Sequence, residues 1–421
     1  MTYKIAIIGS GPSAFYAAQA LFKSDHKIVV DMFEKLPTPF GLLRGGVAPD
    51  HQQMKTVSKA YEKIASDENF RFFGNVEIGK DITLPDLKKY YNSVILAIGA
   101  ETDRKMNIPG ENLDGSQTAT EFVAWYNGQP KYQDYTFNLS GENAIVIGQG
   151  NVAVDVTRIL AKPIEELEKT DITDNAIQKL NHSKIKNIYM IGRRGPVQAA
   201  FTELELKELG NIKGVNLIIH DDLDLSNNDK EEIKASTKAR KNIAQLTEFK
   251  SKPLVKENQK NIHIMFYSSP VEILGNSKIE KIKFEKNRLD GDAGKQKARP
   301  SGEFFELDCD ILLRSIGYHG VPFKGLPFDD RNGIIPNNKG QVINIDKSPV
   351  KDIFVTGWIK RGPSGVIGTN RSDSIETVAT CLDSIVNSKI ELDKDILDVL
   401  NESKIQYLTY KDKKKVNPEK N

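Results

Sequence analysis

The chain has 421 residues, too many for one small core, so two domains are the natural expectation. A formal net charge of +2, with 39% hydrophobic and 28% charged residues, is ordinary for a globular protein and lacks the strong basic excess of a general nucleic-acid binder. No apolar run is long enough to cross a bilayer, so no membrane span is expected.

Residues 3–8 form an Ile-rich run that reads as a buried parallel strand. A strand this early leaves no room for a leader and predicts a cytoplasmic chain, although a processed organellar protein would read the same. Gly9-Ser-Gly11-Pro12-Ser-Ala14 follows, then a helix to about Phe22 and a second apolar strand over 27–33 that ends at Glu34. Residues 37–50, rich in Pro and Gly, predict an ordered loop. Helical spacing runs from Asp50 to about Ser66, short strands are expected over 70–79, and a strand over 93–98 ends at Gly99-Ala100.

The pattern then restarts. Residues 143–147 predict a strand, Gly148-Gln149-Gly150-Asn151-Val152-Ala153 a turn, and the residues to about Leu160 a helix. A strand over 187–191 leads into Gly192-Arg193-Arg194-Gly195-Pro196, and strand signals return at 215–219, 262–267, 279–284 and 310–316. The polar, lysine-rich stretch 226–260 predicts helix with a surface loop. A late strand at 353–356 and the helix after Arg371 are placed to rejoin the first unit; the tail from about Tyr410 is lysine-rich and expected to fray. The expected fold is therefore α/β, two Rossmann-like three-layer dinucleotide-binding domains with the second inserted into the first. Residues 1–101 and 320–421 form one domain and 102–319 the other.

In the first turn, Gly9 makes the tight bend, Gly11 lets a diphosphate approach the backbone, and Ala14 lets the helix pack on the strand. The free N–H groups at the helix start suit phosphate. Glu34 can accept hydrogen bonds from ribose hydroxyls and would repel a 2′-phosphate, so this site should take FAD or NAD rather than NADP. Gly148, Gly150 and Ala153 repeat the pattern, but the strand after this helix ends in Arg193-Arg194. Two guanidinium groups there suit a 2′-phosphate and predict NADP(H).

Cys309 and Cys381 form no Cys-x-x-Cys, so a redox dithiol and the ligands of an iron–sulfur cluster are both missing. The six histidines have no metal-ligand spacing, and no metal site is expected.

The stretch from Pro39 to His51, Gly148–Ala153, Gly192–Pro196 with Ala200-Phe-Thr202, and Gly357-Trp358 through Gly368 together resemble the adrenodoxin reductase-like ferredoxin–NADP(+) reductases. The resemblance runs to about residue 390. It departs at Gly45, where the family usually has an aromatic residue. The glycine turns alone would also suit the glutamate synthase small subunit, which needs cluster-binding cysteines that are missing here.

The resemblance implies that Ala14, Glu34, Leu42 and Val76, along with the turn Gly9, Gly11 and Pro12, contact FAD. It implies that Trp358, Gly365, Val366 and Ile367 close over the isoalloxazine. On the nucleotide side it implies Gln149, Gly150, Asn151, Val152, Arg193, Arg194, Glu205 and Gly365. It gives catalytic roles to His51, in proton handling, and to Glu205. The implied activity is an NADPH:ferredoxin oxidoreductase: FAD takes hydride from NADPH and passes electrons singly to an acidic ferredoxin or adrenodoxin-type protein, or the reverse. Helical spacing offers Lys234, Lys238, Arg240 and Lys241 as a docking face for that partner.

Overall fold

The computed structural model describes residues 2–52, 56–257, 259–385 and 395–412. The chain divides into two compact units. One comprises Met1–Val47, His51–Arg104 and Gly317–Asn421; the other comprises Ala48–Asp50 and Lys105–Ile316. The second is thus inserted in the first, and Ala48–Asp50 belongs with it despite its place in the chain.

The first unit is built on a seven-stranded sheet. Its strands run in the order Asn337–Asn338, Gln341–Ile343, Pro349–Val355, Ser93–Leu96, Thr2–Ile8, Lys27–Glu34 and Phe70–Gly74. The last five are mutually parallel, and the first two form an antiparallel edge. Ile5, Ala6 and Ile7 are fully buried, so both faces of the first strand are covered, which is why it reads as a continuous apolar run. The helix Pro12–Phe22 buries Ala14, Ala17, Ala18 and Leu21, a spacing that puts the four on one apolar face. The late strand pairs with Ser93–Leu96 and returns the chain to this sheet.

The second unit has a six-stranded, wholly parallel sheet in the order Ser116–Thr118, Ile311–Arg314, Asn143–Ile147, Asn187–Ile191, Lys260–Met265 and Val215–Ile219. Its helix Asn151–Ala161 is buried along nearly its whole length.

Several elements differ from the sequence expectation. The loop 37–50 contains a helical turn, Leu42–Gly45. The helix expected over 50–66 spans Ser58–Ala65; residues 53–55 lie outside the described set. Residues 70–79 hold one strand, Phe70–Gly74. The lysine-rich stretch is two helices, Asn227–Ala235 and Thr237–Ser251, broken at Ser236, whose side chain caps the second. The helix Ala119–Tyr126 was not anticipated, although Thr118 and Glu121 form a capping box at its start. The strand signal at 279–284 belongs to a three-stranded antiparallel sheet, Ser268–Leu274, Lys281–Asp290 and Lys297–Asp308. Its outermost strand is largely exposed, so no apolar run marked it. Most of the tail lies outside the described residues.

Candidate active site

The two glycine turns share one backbone design. The Gly9 N–H donates to the Phe33 carbonyl at 2.8 Å, and the Gly148 N–H donates to the Ile191 carbonyl at 2.8 Å. Gly9 has φ +98° and Gly148 φ +135°. A Cβ on Gly9 would lie 2.5 Å from the Ala97 carbonyl oxygen, and one on Gly148 would lie 2.1 Å from that of Ser315. Each first glycine is therefore fixed by the protein itself.

The second glycines differ. A Cβ on Gly11 or Gly150 would meet no protein atom within 4 Å. Each is the N-cap of its helix; neither helix has a capping side chain or an acidic residue in its first turn. Helices Ala119–Tyr126 and Glu203–Gly210 are instead capped by Thr118 and Thr202. Uncapped N-termini beside open space fit an anionic diphosphate, which would accept from the orphan N–H groups. Pro12 occupies the first helical position, where a missing N–H loses nothing. Ala14 is fully buried, so its methyl packs the helix on the sheet.

Glu34 ends the second strand as expected and is buried. One carboxylate oxygen accepts from Ser10 N–H (3.1 Å) and Ser10 Oγ (2.6 Å); the other accepts from Leu36 N–H (3.0 Å). Burial raises the carboxyl pKa, partly offset by the Ser10 hydroxyl and the Leu36 amide. Ser10 was not singled out in the sequence, although its place between the glycines puts it beside this carboxylate. Val76 is buried next to the same strand end, its N–H donating to the Glu34 carbonyl at 2.9 Å. Gly41, at φ +50°, backs onto Gly11, and a Cβ there would lie 2.9 Å from the Gly11 Cα. This sets the Leu42 turn against the first glycine loop; within it Gly45 is buried and donates to the Gly41 carbonyl at 2.9 Å.

In the second unit Arg193 and Arg194 are both exposed. Their backbone is held: the Arg193 carbonyl accepts from Asn287 Nδ2 at 2.9 Å, and the Arg194 carbonyl accepts from the Tyr267 N–H at 3.1 Å. Gln149 and Asn151, expected as ligands, are structural through their side chains. Gln149 Nε2 donates to the Met265 carbonyl (2.9 Å), and Asn151 Oδ1 accepts from the Thr202 N–H (2.9 Å).

With two glycine turns described, one followed by a carboxylate and the other by an arginine pair, the whole chain can be compared with known proteins. Residues 3–378 match the pyridine nucleotide-disulphide oxidoreductase family. NADPH-ferredoxin reductase FprA of Mycobacterium tuberculosis (strain H37Rv) is 46% identical over 394 residues, 92% of this chain and 85% of that one. The mitochondrial NADPH:adrenodoxin oxidoreductase of Homo sapiens is 41% identical over 390 residues, 89% and 77% of the two chains. The solved structure of M. tuberculosis FprA in complex with NADPH superposes with a TM-score of 0.91 at 42% identity, covering 97% of this chain and 92% of that one. The chain belongs to this family, in the branch of the ferredoxin and adrenodoxin reductases.

The family name includes disulphide chemistry, but the cysteines here do not suit it. Cys309 and Cys381 are each buried in the core of their own unit. Burial pushes the Cys381 thiol up to about 12 and that of Cys309 further still. Neither supplies a thiolate near neutral pH.

The Trp358 loop belongs to the first unit and lies against the first glycine turn. Gly357 has φ +76°, and a Cβ there would lie 2.5 Å from Ser13 Oγ. Ser374 Oγ donates to the Ser13 carbonyl at 2.9 Å, and the Gly357 N–H donates to Asp373 Oδ2 at 2.6 Å. Lys360, buried, pairs with Asp373 (2.8 Å) and Glu376 (2.7 Å). Trp358 is half-buried, its indole N–H donating to the Ser364 carbonyl at 3.2 Å and its ring 5.2 Å from that of Tyr318. Gly365 turns the loop at φ +78°, and Val366 is left 64% exposed, a large apolar side chain available to cover a bound ring.

For two further sets of expected residues the structure shows partners within the protein. Glu205, expected as a ligand and catalytic group, is buried and accepts from Arg158 Nη1 at 3.2 Å. Arg158 is itself buried and also binds Asp50 (2.7 Å), Asp155 (2.7 Å) and Glu208 (3.4 Å), while Lys162 binds Asp50 at 2.8 Å. Burial alone would raise the Asp50 pKa, but Arg158 and Lys162 outweigh it and hold the carboxyl well below the usual range. The basic docking face is also not continuous. Lys234 sits on a different helix from the other three; Lys241 pairs with Glu203 at 2.8 Å, and Lys238 donates to the Ala199 carbonyl at 2.8 Å. His51 is half-buried, and residues 53–55 just after it lie outside the described residues.

Proposed function

We infer that this chain is an FAD-dependent NADPH:ferredoxin oxidoreductase. The observation that carries the reading is the pair of uncapped, open glycine turns, one backed by buried Glu34 and the other followed by exposed Arg193-Arg194. FAD held there would supply the redox chemistry, hydride acceptance from NADPH and release of single electrons. The chain's residues hold and select. Glu34, oriented by Ser10 and Leu36, accepts from ribose hydroxyls and repels a 2′-phosphate. Leu42, Val76, Trp358, Gly365, Val366 and Ile367 enclose the flavin. The helix starts at Pro12 and Asn151 present N–H groups to the two diphosphates through Gly11, Gly150 and Val152. Arg193 and Arg194 take the 2′-phosphate, and His51 handles the proton that accompanies flavin redox change. We assign Glu205 a positioning role, holding Arg158.

The acceptor is a one-electron iron–sulfur protein of the ferredoxin type, the kind of partner named for the relatives above. Of the proposed docking residues, Lys234 and Arg240 are left to meet it. Among the described residues no helix is long and apolar enough to cross a membrane. We place the protein in the cytoplasm, which fractionation tests.

The deciding experiment is spectroscopic. The purified protein should be yellow, be bleached by NADPH faster than by NADH, and be reoxidised by a ferredoxin that passes its electrons to cytochrome c. Bleaching without ferredoxin-dependent cytochrome c reduction would remove the acceptor assignment. No bleaching at all would remove the enzyme.

A further inference from the structure

Beside the arginine pair of the second unit stands a third cation, outside the glycine fingerprint. Lys238 Nζ donates to the Ala199 carbonyl at 2.8 Å, and Arg194 Nη2 donates to the Gln198 carbonyl at 3.3 Å. These are successive carbonyls of one turn, so the guanidinium and the ammonium are held on adjacent peptide units. We propose that Lys238 is a specificity-determining residue, a third cation that joins Arg193 and Arg194 on the 2′-phosphate of NADPH and raises the preference over NADH. The proposal rests on the reading of the arginine pair as the 2′-phosphate site.

The turn that carries these contacts is tied to the nucleotide turn. Ala200 and Phe201 both donate their N–H groups to the Gln149 carbonyl at 2.9 Å. Asn242, four residues beyond Lys238 on the same helix and fully buried, donates from Nδ2 to the Phe201 carbonyl at 3.0 Å. Residues four apart share a helix face, so Asn242 and Lys238 both reach the turn 199–201, through the Phe201 and Ala199 carbonyls.

The local charges leave room for an anion. Burial lowers the Lys238 pKa, and the charge of Arg194 lowers it further. The opposing carboxylate is Glu232, already accepting from Gln198 Nε2 at 2.9 Å. Asp229 is engaged by Ser226 and by Gln198. Lys241, on the same helix, is neutralised by Glu203. Two cations held side by side on backbone carbonyls repel each other, and a dianionic phosphate between them would reverse the sign of that interaction. An ammonium has three N–H donors, and the Ala199 carbonyl takes one, leaving donors for phosphate oxygens.

The test uses the holoenzyme with Lys238→Met and Lys238→Arg, and Arg193→Ala/Arg194→Ala in parallel. Calorimetry with 2′,5′-ADP and 5′-AMP reads the phosphate contact without turnover; kcat/KM with NADPH and NADH reads it in catalysis. Lys238→Met should weaken 2′,5′-ADP about 10-fold, as loss of a charge-assisted bond implies. It should leave 5′-AMP within about twofold and lower the NADPH/NADH ratio to match, whereas Lys238→Arg should recover most of the loss. An unchanged ratio, or equal weakening of both nucleotides, overturns the proposal. So does a rise in the KM for ferredoxin with the nucleotide ratio intact, which would return Lys238 to partner docking. If the double arginine variant also leaves the ratio unchanged, the 2′-phosphate site itself is wrong; if only that variant lowers it, the Lys238 inference alone fails.

Discussion

Alanine at the first and second glycine of each turn should have opposite consequences. Gly9→Ala places a Cβ 2.5 Å from the Ala97 oxygen at φ +98°. A side chain at such a φ costs about 1–3 kcal/mol, and displacing a strand-end carbonyl adds about 1–3 kcal/mol of overpacking. The sum, about 2–6 kcal/mol, is a large part of a typical stability of about 5–15 kcal/mol. Gly148→Ala, with a 2.1 Å approach to the Ser315 oxygen, should be at least as severe. Gly11 has φ −76° and Gly150 φ −98°, values alanine adopts freely, and a Cβ on either meets no protein atom within 4 Å. Alanine there should change apoprotein stability by less than about 1 kcal/mol, since a less flexible unfolded chain offsets the poorer N-cap. The new methyl instead fills the space assigned to the diphosphate. If crowding costs about 1–3 kcal/mol, FAD affinity in Gly11→Ala should fall about 5- to 150-fold. Urea unfolding of the apoproteins and FAD titration by flavin fluorescence separate the two effects. Wild-type FAD affinity in Gly11→Ala, or equal stability of Gly9→Ala and Gly11→Ala, would refute the reasoning.

Arg158→Met should destabilise the protein by about 3–5 kcal/mol, because it leaves buried carboxylates without their counter-ion; a loss under 1 kcal/mol in urea unfolding would show that the cluster is well solvated. The Asp50 pKa is depressed in the folded state, so its contribution is fully present above the unfolded value of about 4 and lost as pH falls through the folded value. Asp50→Asn should therefore cost more stability at pH 7 than at pH 3, and a pH-independent cost would contradict the pairing. Glu34 has the opposite sign: its folded pKa is raised, so the carboxylate destabilises the apoprotein above that value and has no such effect below the unfolded one. Glu34→Gln should gain apoprotein stability at pH 7 relative to pH 4 while weakening FAD about 10-fold, the scale of a lost charge-assisted bond; unchanged FAD binding would remove Glu34 from the ribose. His51→Ala should retain FAD but slow flavin reduction or reoxidation in stopped flow, and wild-type rates in both half-reactions would dismiss it.

The sequence was most legible where function and folding demand the same residues. Gly9 and Gly148 are dictated by close backbone approach, and the strands they follow are buried on both faces, so turn and apolar run mark each other. Glu34 and Arg193-Arg194 were legible because each falls at the end of the strand after its helix. Contacts made by long side chains across many residues were not legible. Glu205 has the spacing of a solvated helix residue, and only the fold reveals Arg158, 47 residues away, as its partner. The basic run at 234–241 looked like one helix face because the one signal of a break, the capping residue Ser236, is a single serine within a lysine-rich stretch. Exposed strands such as Lys297–Asp308 carry no burial pattern and leave little trace.

The three-stranded sheet missed in the sequence helps explain how one backbone design serves two selectivities. In the first unit the group proposed to discriminate, Glu34, is a side chain turned inward, and another side chain, Ser10, orients it. In the second unit the side chains proposed to discriminate, Arg193 and Arg194, are exposed, and it is their backbone that is fixed. The fixing groups come from the added sheet and its approach. Asn287 holds the Arg193 carbonyl and also bonds Ser269 Oγ at 2.8 Å, while the Tyr267 N–H holds the Arg194 carbonyl. Among the described residues the guanidinium groups show one hydrogen bond, from Arg194 to the Gln198 carbonyl. A carboxylate selects by burial and fixed orientation; an arginine pair selects by exposure on a fixed backbone. The extra antiparallel strands and their approach thus supply backbone contacts to the arginine pair in the unit that carries it.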